Sequence, residues 1–438
     1  MIEKVKLKNP WTPQDEGDHH PSMKEWWCFE SLFKTLEDNR KWTLKTTMAY
    51  EQETPSCFIT HTLFDMTNRK CVIHQNFNDD VNKLSHKKNK VEVSYKKSSY
   101  KGLYPNYHVH IDEGKQDFMA DIGYKAQSLP HWSAQNITNG FLPIGFDYYR
   151  YGWLLNCDIS GKLNIGDKSY NIKGKGYLEH AYGNWSYKNP FQKLSGIKQT
   201  ISIYARLGTW WLSQRRPGFP RRIGFATDNN IMGNDWFWGV FDNNWSVFYG
   251  NSMFWLTEGP AFGVLSITPD GKEFWDFCNV QFHYNKLLYI KKYDMYYPCD
   301  IELCGQLNDK KINLRIWMTT ENFEYISPYR KGNFYKAYII CEMPGRIEGV
   351  YTDNERTVKL QGDCKIEIQR QPSILGHNSL KFDFLLPPKG VGISVDLHSS
   401  YLGKKMFTKF QLMPYPKIKC GFRRINSSKI NTKTKTYN

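Results

Sequence analysis

The stretch GKGYLEHAYGNWSY, Gly174 to Tyr187, sets a carboxylate and an imidazole side by side among aromatic rings. Two glycines followed by Tyr-Leu-Glu-His read as a β-strand whose backbone can be approached closely at Gly174 and Gly176. Successive strand side chains point to opposite faces. Tyr177 and Glu179 then share one face, and Leu178, His180 and Tyr182 the other. A carboxyl aimed into a dry aromatic interior tends to keep its proton. Such an acid is what alkene protonation or enol chemistry requires. Spacing alone leaves a second reading open, with Glu179 as a hydrogen-bond anchor at the end of a barrel wall.

The same period-two alternation recurs outward from this stretch. EWWCFESLF, KWTLKTTMAY, CFITHTLFD, KVEVSYKK, INLRIWMTT and YKAYIICEM are each bounded by turn-forming clusters. Many short antiparallel strands imply barrels or sandwiches, an all-β protein. No glycine-rich phosphate loop and no βαβ alternation is present. In HHPSMKEWWCFESLF, Glu25, Trp27 and Phe29 share one face, and Trp26, Cys28 and Glu30 the other. Two adjacent tryptophans need cover on both faces. Glu25 is then either a ligand-facing acid or the partner of an Arg or a backbone group. A hairpin is expected around Asp235, Trp236 and Trp238, with its turn at Asp242 to Asn244. Its rings can stabilise a developing cation, or simply pack a core.

Aromatic residues make up 16% of the 438 residues, which suits packed strands or an apolar cavity. The length suggests two or three domains. Ten cysteines form no CxxC pair, so reduced, buried thiols are expected and no zinc site. His108 and His110 share a strand face without an evident third ligand, so no metal and no other cofactor is expected. The start, MIEKVKLKNPW, has no apolar signal-peptide core, and no run is long enough to span a bilayer. A cytoplasmic protein is expected, with peripheral association to a membrane left open.

The net charge of +16 is localised. From His180 to Thr227 there are eight Lys/Arg and no acid, and from Leu397 to Asn438 ten and no acid. The remainder of the chain is therefore near neutral. Two basic segments on a neutral body point to an anionic partner. Nothing resembles a base-reading module, so nucleic acid is not expected. FQKLSGIKQTISIYARLGTWWLSQ, Phe191 to Gln214, puts Leu194, Ile197, Ile201, Tyr204 and Trp211 at helical spacing, with Ile203, Leu207 and Trp210 widening the apolar face. With Arg215 to Arg222 behind it, the helix suits an anionic membrane interface. A helix capping a barrel fits equally, and both can hold.

Three stretches in this order resemble the carotenoid 1,2-hydratase (hydroxyneurosporene synthase) and AttH-like family. They are His20-Pro21 followed by Glu25-Trp26-Trp27-Cys28, then Gly174 through Gly183, then Asp235-Trp236-Phe237-Trp238. LQGDCKIEIQRQ looks like a decayed closing segment, with Gly362 and Glu367 in its places. The resemblance implies two tandem lipocalin-like antiparallel β-barrels, with a cavity near their junction for an apolar isoprenoid-like or other lipid. Domains are then expected at 1–262 and 263–412, with a helical, basic insertion at about 188–232 and a basic, disordered tail at 413–438. It implies hydro-lyase, cyclase or isomerase chemistry, or lipid binding and transfer without chemistry. Glu179 would be the general acid and His180 its orienting partner. Tyr177, Tyr182, Glu25, Trp26, Trp27, Asp235, Trp236 and Trp238 would line the substrate site. Cys28, Glu179 and Tyr182 stand where the family pattern has Tyr, Asp and Trp.

Overall fold

In this computed structural model the chain is described over residues 11–53, 55–114, 118–144, 147–184, 197–213, 222–228, 230–253, 256–290, 292, 295–329, 336–372, 378–385, 392–401, 404–411 and 417–424. It is all-β, as the alternation predicts, in two antiparallel sheets. The first runs, in spatial order, through Lys70–Asp79, Ser56–Asp65, Lys41–Glu51, Lys24–Thr35, Lys168–Gly183, Asp147–Ile165, Phe118–Ala126, Asn106–Ile111, Ser98–Leu103, Val91–Tyr95 and Leu84–His86. It curls round a single core containing Trp27, Phe29, Leu44, Ile59, Tyr100, Ile122 and Leu178. Its two end strands do not pair with each other among the described residues, so it is a curled, open barrel.

The second sheet closes. Asn230–Phe241, Ser246–Met253, Leu256–Thr268, Trp275–Ile290, Met295–Leu307, Lys310–Met318, Lys336–Thr352 and Thr357–Pro372 pair in that order, and the last pairs back with the first. This is an up-and-down, lipocalin-like ring of eight strands, filled by Phe237, Val247, Phe277, Ile301, Ile316 and Ile366 among others. A further ladder, Arg222–Asp228, Asn378–Leu385, Gly392–Tyr401, Lys404–Gln411 and Lys417–Arg424, extends from the Leu256–Thr268 strand.

Two expected boundaries move. The hairpin carrying Trp236 and Trp238 closes the second ring, so the division lies between Gly183 and Arg222 and not at residue 262. The tail expected to be disordered from 413 contains the paired strand Lys417–Arg424, and residues 425–438 lie outside the described ones. The inserted helix is found at Ile197–Ser213. Leu194 and the basic run from Arg215 to Arg221 lie outside the described residues. The helix packs on the short helix Gln135–Thr138 and the strand Phe141–Ile144, burying Thr200 and Ile203. Ile201, Tyr204 and Leu212 point away, 59%, 44% and 70% exposed. The buried stripe is thus the Ile203 side, rotated from the expected one, and a second apolar stripe is left outward. No described helix is long and apolar enough to cross a membrane.

Cys28, Cys57, Cys71, Cys157, Cys278, Cys299, Cys304, Cys341 and Cys364 are free, and all of these but Cys71 are buried. The face between the two sheets is a third core, formed by Leu32, Tyr151, Trp153, Leu155, Tyr177, Ala181, Trp238 and Phe248. The strand Lys168–Gly183 contributes to both cores in alternation, as its period dictates.

Candidate functional site

Strand Lys24–Thr35 pairs with Lys168–Gly183 so that Trp26 lies opposite Ala181, Trp27 opposite His180 and Cys28 opposite Glu179. Opposed residues share a face. Trp26, Cys28, Glu30, Tyr177 and Glu179 therefore look toward the second barrel, while Glu25, Trp27, His180 and Tyr182 look into the first. Gly176 is demanded by this pairing, because a Cβ there would come within 2.6 Å of the Tyr124 and Ile159 side chains.

Glu179 sits at the junction of the two sheets. Its Oε1 accepts the Trp26 indole N–H at 2.9 Å. Its Oε2 accepts the Tyr177 hydroxyl at 2.8 Å and a short hydrogen bond from the Tyr151 hydroxyl. Tyr151 in turn accepts the Trp236 indole N–H at 3.1 Å, so the second barrel reaches the same network. Burial, and then the Glu179 charge, push both tyrosine hydroxyls well above the usual phenol range. Both stay neutral donors at any ordinary pH. Trp238 stacks at a tilt on Tyr177 with centroids 5.5 Å apart and donates its indole N–H to the Leu155 carbonyl at 2.9 Å. Phe248 and Trp153 complete the wall, stacked at 4.0 Å. Tyr177, Trp153 and Trp238 are fully buried, but Glu179, Trp26, Tyr149 and Trp236 are only half-buried. The carboxyl thus lies at the accessible side of an aromatic wall.

A charged cluster continues the junction from Cys28 onward. Lys45 pairs with Glu342 at 2.9 Å and with Glu367, and Lys365 pairs with Glu342 at 2.5 Å and Glu30 at 3.7 Å. Tyr325 donates to Glu342 at 2.8 Å. All of these side chains are buried. Burial pushes Glu342 up, but Lys365 and Lys45 outweigh it and hold the carboxyl at about 2. Glu30 is pushed by burial up to about 7 against the same two lysines. Three carboxyls and two ammonium groups share this cluster, so one proton kept on Glu30 balances its charge. Glu367, read from the closing motif, belongs here.

His180 does not orient Glu179. Its Nδ1 contacts the Asp15 carbonyl oxygen at 2.7 Å and its Nε2 contacts Glu25 Oε1 at 2.8 Å, on the first barrel's side of the strand. The physical reason is the strand period itself: neighbours in sequence cannot face one way. Glu25 also meets His19 Nδ1 at 2.9 Å and accepts the Tyr50 hydroxyl at 2.6 Å. Burial pushes Glu25 up, but the hydrogen bonds and charges of His180 and His19 prevail and hold it below its ordinary range. Trp27 stacks on His180 at 5.0 Å, and Tyr182 stacks on His19 at 3.4 Å and receives Arg150 at 3.2 Å. Asp235 stands apart from both groups. It turns into the second barrel, bonded by Arg370 at 2.7 Å and by Tyr284.

Of the expected residues, Glu179, Tyr177, Trp26, Trp236 and Trp238 come together at the junction. His180, Glu25, Trp27 and Tyr182 form a second group behind them, and Asp235 joins neither. Tyr151, Glu30, Lys45, Glu342, Lys365 and His19 were not read as site residues. His108 and His110 both meet Asp121, at 2.8 and 3.0 Å, with His108 exposed and His110 half-buried.

No family model matches the sequence, and no curated protein does. Solved structures do. A protein of Nitrosomonas europaea described as an AttH superposes with a TM-score of 0.57 at 13% identity, over 84% of this chain and 99% of that one. The kievitone hydratase of Nectria haematococca superposes with a TM-score of 0.52 at 12% identity, over 83% of this chain and 98% of that one. At such identities the likeness is one of fold, and it spans both barrels.

Proposed function

We propose that the protein binds an apolar, isoprenoid-like molecule against the junction wall and carries out acid-type chemistry on it, with Glu179 as the proton donor. The observation that carries this is the Glu179 carboxyl itself, half-buried and ringed by two neutral tyrosine hydroxyls and a tryptophan N–H in an otherwise aromatic wall. The protonated carboxyl would give its proton to the less substituted carbon of an alkene. The positive charge left on the other carbon would lie against the half-buried Trp26 and Trp236. Water then adds to that carbon and returns a proton to Glu179, directly or through Tyr151, so the net reaction is addition of one water. Capture by a second double bond gives a ring, and proton loss gives an isomer. A structural neighbour that is itself a hydratase supports the choice of reaction class. Glu179→Gln tests it, because the amide keeps the shape and cannot deliver the proton.

A second reading has its own support. Both Glu179 oxygens are engaged by donors of the fold, Trp26 on one and Tyr151 and Tyr177 on the other, which suits an anchor in a lipid carrier without chemistry. A bound isoprenoid recovered unchanged after incubation with the wild-type protein would favour it.

The proposal includes docking on an anionic lipid surface through the 194–222 region and the basic C-terminal segment. It is supported by the outward Ile201, Tyr204 and Leu212 beside exposed Lys198 and Arg206.

A further inference from the structure

We propose that His19, Glu25 and His180 form a site for one divalent first-row transition-metal ion at the mouth of the first barrel. The donor atoms of the three side chains lie within 4.8 Å of one another. The backbone carbonyl of Asp15 can only accept, so the His180 Nδ1 facing it at 2.7 Å carries hydrogen. That fixes the ring and leaves Nε2 as its ligand position. A histidine tied through its other nitrogen to a carbonyl is the usual supporting arrangement for a metal ligand. His19 Nδ1 and His180 Nε2 converge on one oxygen, Glu25 Oε1, at 2.9 and 2.8 Å. Two ligands at right angles, each about 2.1 Å from an ion, are themselves about 3.0 Å apart. Both nitrogen–oxygen distances already stand near that spacing. The other oxygen, Oε2, is held by the Tyr50 hydroxyl at 2.6 Å and by the His19 backbone N–H at 2.9 Å, which fixes the carboxylate plane.

Two imidazoles and one carboxylate, with further positions left open, suit a divalent ion of the iron-to-zinc series. His180 Nε2 and Glu25 Oε1 face each other at 2.8 Å across the position an ion would take. Both side chains are buried, at 1% and 0% exposure. Entry is provided by His19, whose side chain is 20% exposed. A groove of about 490 Å³ is lined by His20, the sequence neighbour of His19, with Gln52, Ser85 and His86 among others.

The site lies on the opposite face of the strand from Glu179 and shares no residue with it. An ion there would tie the 11–21 segment, which carries His19 and Asp15, to the strands bearing Glu25 and His180.

The test uses the whole chain, stripped with a chelator and titrated with Co²⁺ followed by visible absorption, then competed with Zn²⁺. One Co²⁺ per chain with visible bands is expected. His19→Ala is expected to weaken binding about 100-fold, with unchanged far-UV circular dichroism, because His19 is partly exposed. Glu25→Gln is expected to abolish it. His108→Ala, at an exposed histidine beside Asp121, is expected to leave it unchanged. Absence of saturable Co²⁺ binding overturns the proposal. So does binding as tight in His19→Ala as in wild type, or binding lost with His108→Ala alone.

Discussion

The Glu179 carboxyl and the His180 imidazole leave adjacent residues in opposite directions. One joins Tyr151, Tyr177 and Trp26 between the sheets, and the other joins Glu25 and Asp15 inside the first barrel. A single strand therefore carries two independent polar groups, one on each face, and substitutions on the two faces should have separable effects.

On the junction face, Tyr151 links Glu179 to Trp236 of the second barrel. Tyr151→Phe removes a donor to the carboxyl and leaves the Trp236 indole unpaired. Turnover of an isoprenyl substrate should fall by about 10² to 10⁴, the range for losing a proton-transfer partner. Tyr177→Phe removes the other hydroxyl on that oxygen but keeps the Tyr151 link to Trp236 and its proton path, so its loss should be smaller. Steady-state kcat of the two variants checks this ordering, and equal or reversed losses would contradict it.

Glu30 makes stability depend on pH in a defined direction. It faces Lys365, Lys45, Glu342 and Glu179, and its folded value is about 7 against an ordinary 4.5. The folded state keeps a proton that the unfolded chain releases. Its stabilising contribution is therefore full below about 4.5 and is lost as pH rises through about 7. Glu342, held at about 2, has the opposite sign, with stability present above about 4.5 and lost as pH falls through about 2. The stability difference between wild type and Glu30→Gln should thus shift across about pH 5 to 8, in the sense that wild type loses ground as pH rises. Thermal melts of both proteins at several pH values measure it. A difference independent of pH would contradict the assignment.

Glycines at two places should respond oppositely to alanine. Gly176→Ala drives a methyl group to within 2.6 Å of Tyr124 and Ile159 in the first core and should cost about 1–3 kcal/mol. Gly208, in the Ile197–Ser213 helix, has nothing within 4 Å of the added carbon, and Gly208→Ala should stabilise by up to about 1 kcal/mol. Denaturant unfolding reads both signs.

Ile201→Asp with Leu212→Asp places charge on the outward stripe without touching the buried Ile203. Flotation with vesicles of phosphatidylserine and phosphatidylcholine should fall at least about tenfold, with no change in melting temperature. Undiminished flotation would contradict docking by this face.

Much of the fold was legible from alternation alone, because a strand's period assigns faces without any knowledge of its partners. The separation of Trp26 from Trp27, and of Tyr177 and Glu179 from His180, follows from it directly. What alternation does not carry is which strand lies opposite. Tyr151 is one of three tyrosines in Asp147–Ile165, and nothing local distinguishes the one that reaches Glu179. Lys45 and Lys365 meet Glu342, Glu367 and Glu30 only because two distant sheets pack face to face. The same blindness put the Trp236 hairpin in the wrong barrel: its outward rings do touch the first sheet, while its backbone closes the second ring. His19 was passed over because its partner Glu25 lies beyond a turn and its other partner, His180, lies in a distant strand.

The decisive experiment follows deuterium. Wild type and Glu179→Gln are incubated in D₂O with a trisubstituted isoprenyl alkene, binding is followed by tryptophan quenching, and the products are weighed by mass spectrometry. Wild type should place one deuterium from solvent on the alkene carbon. Glu179→Gln should bind the alkene as tightly and lose at least about 100-fold of that incorporation. Incorporation undiminished in Glu179→Gln, or an alkene that wild type binds and returns unlabelled, would contradict Glu179 as the proton donor.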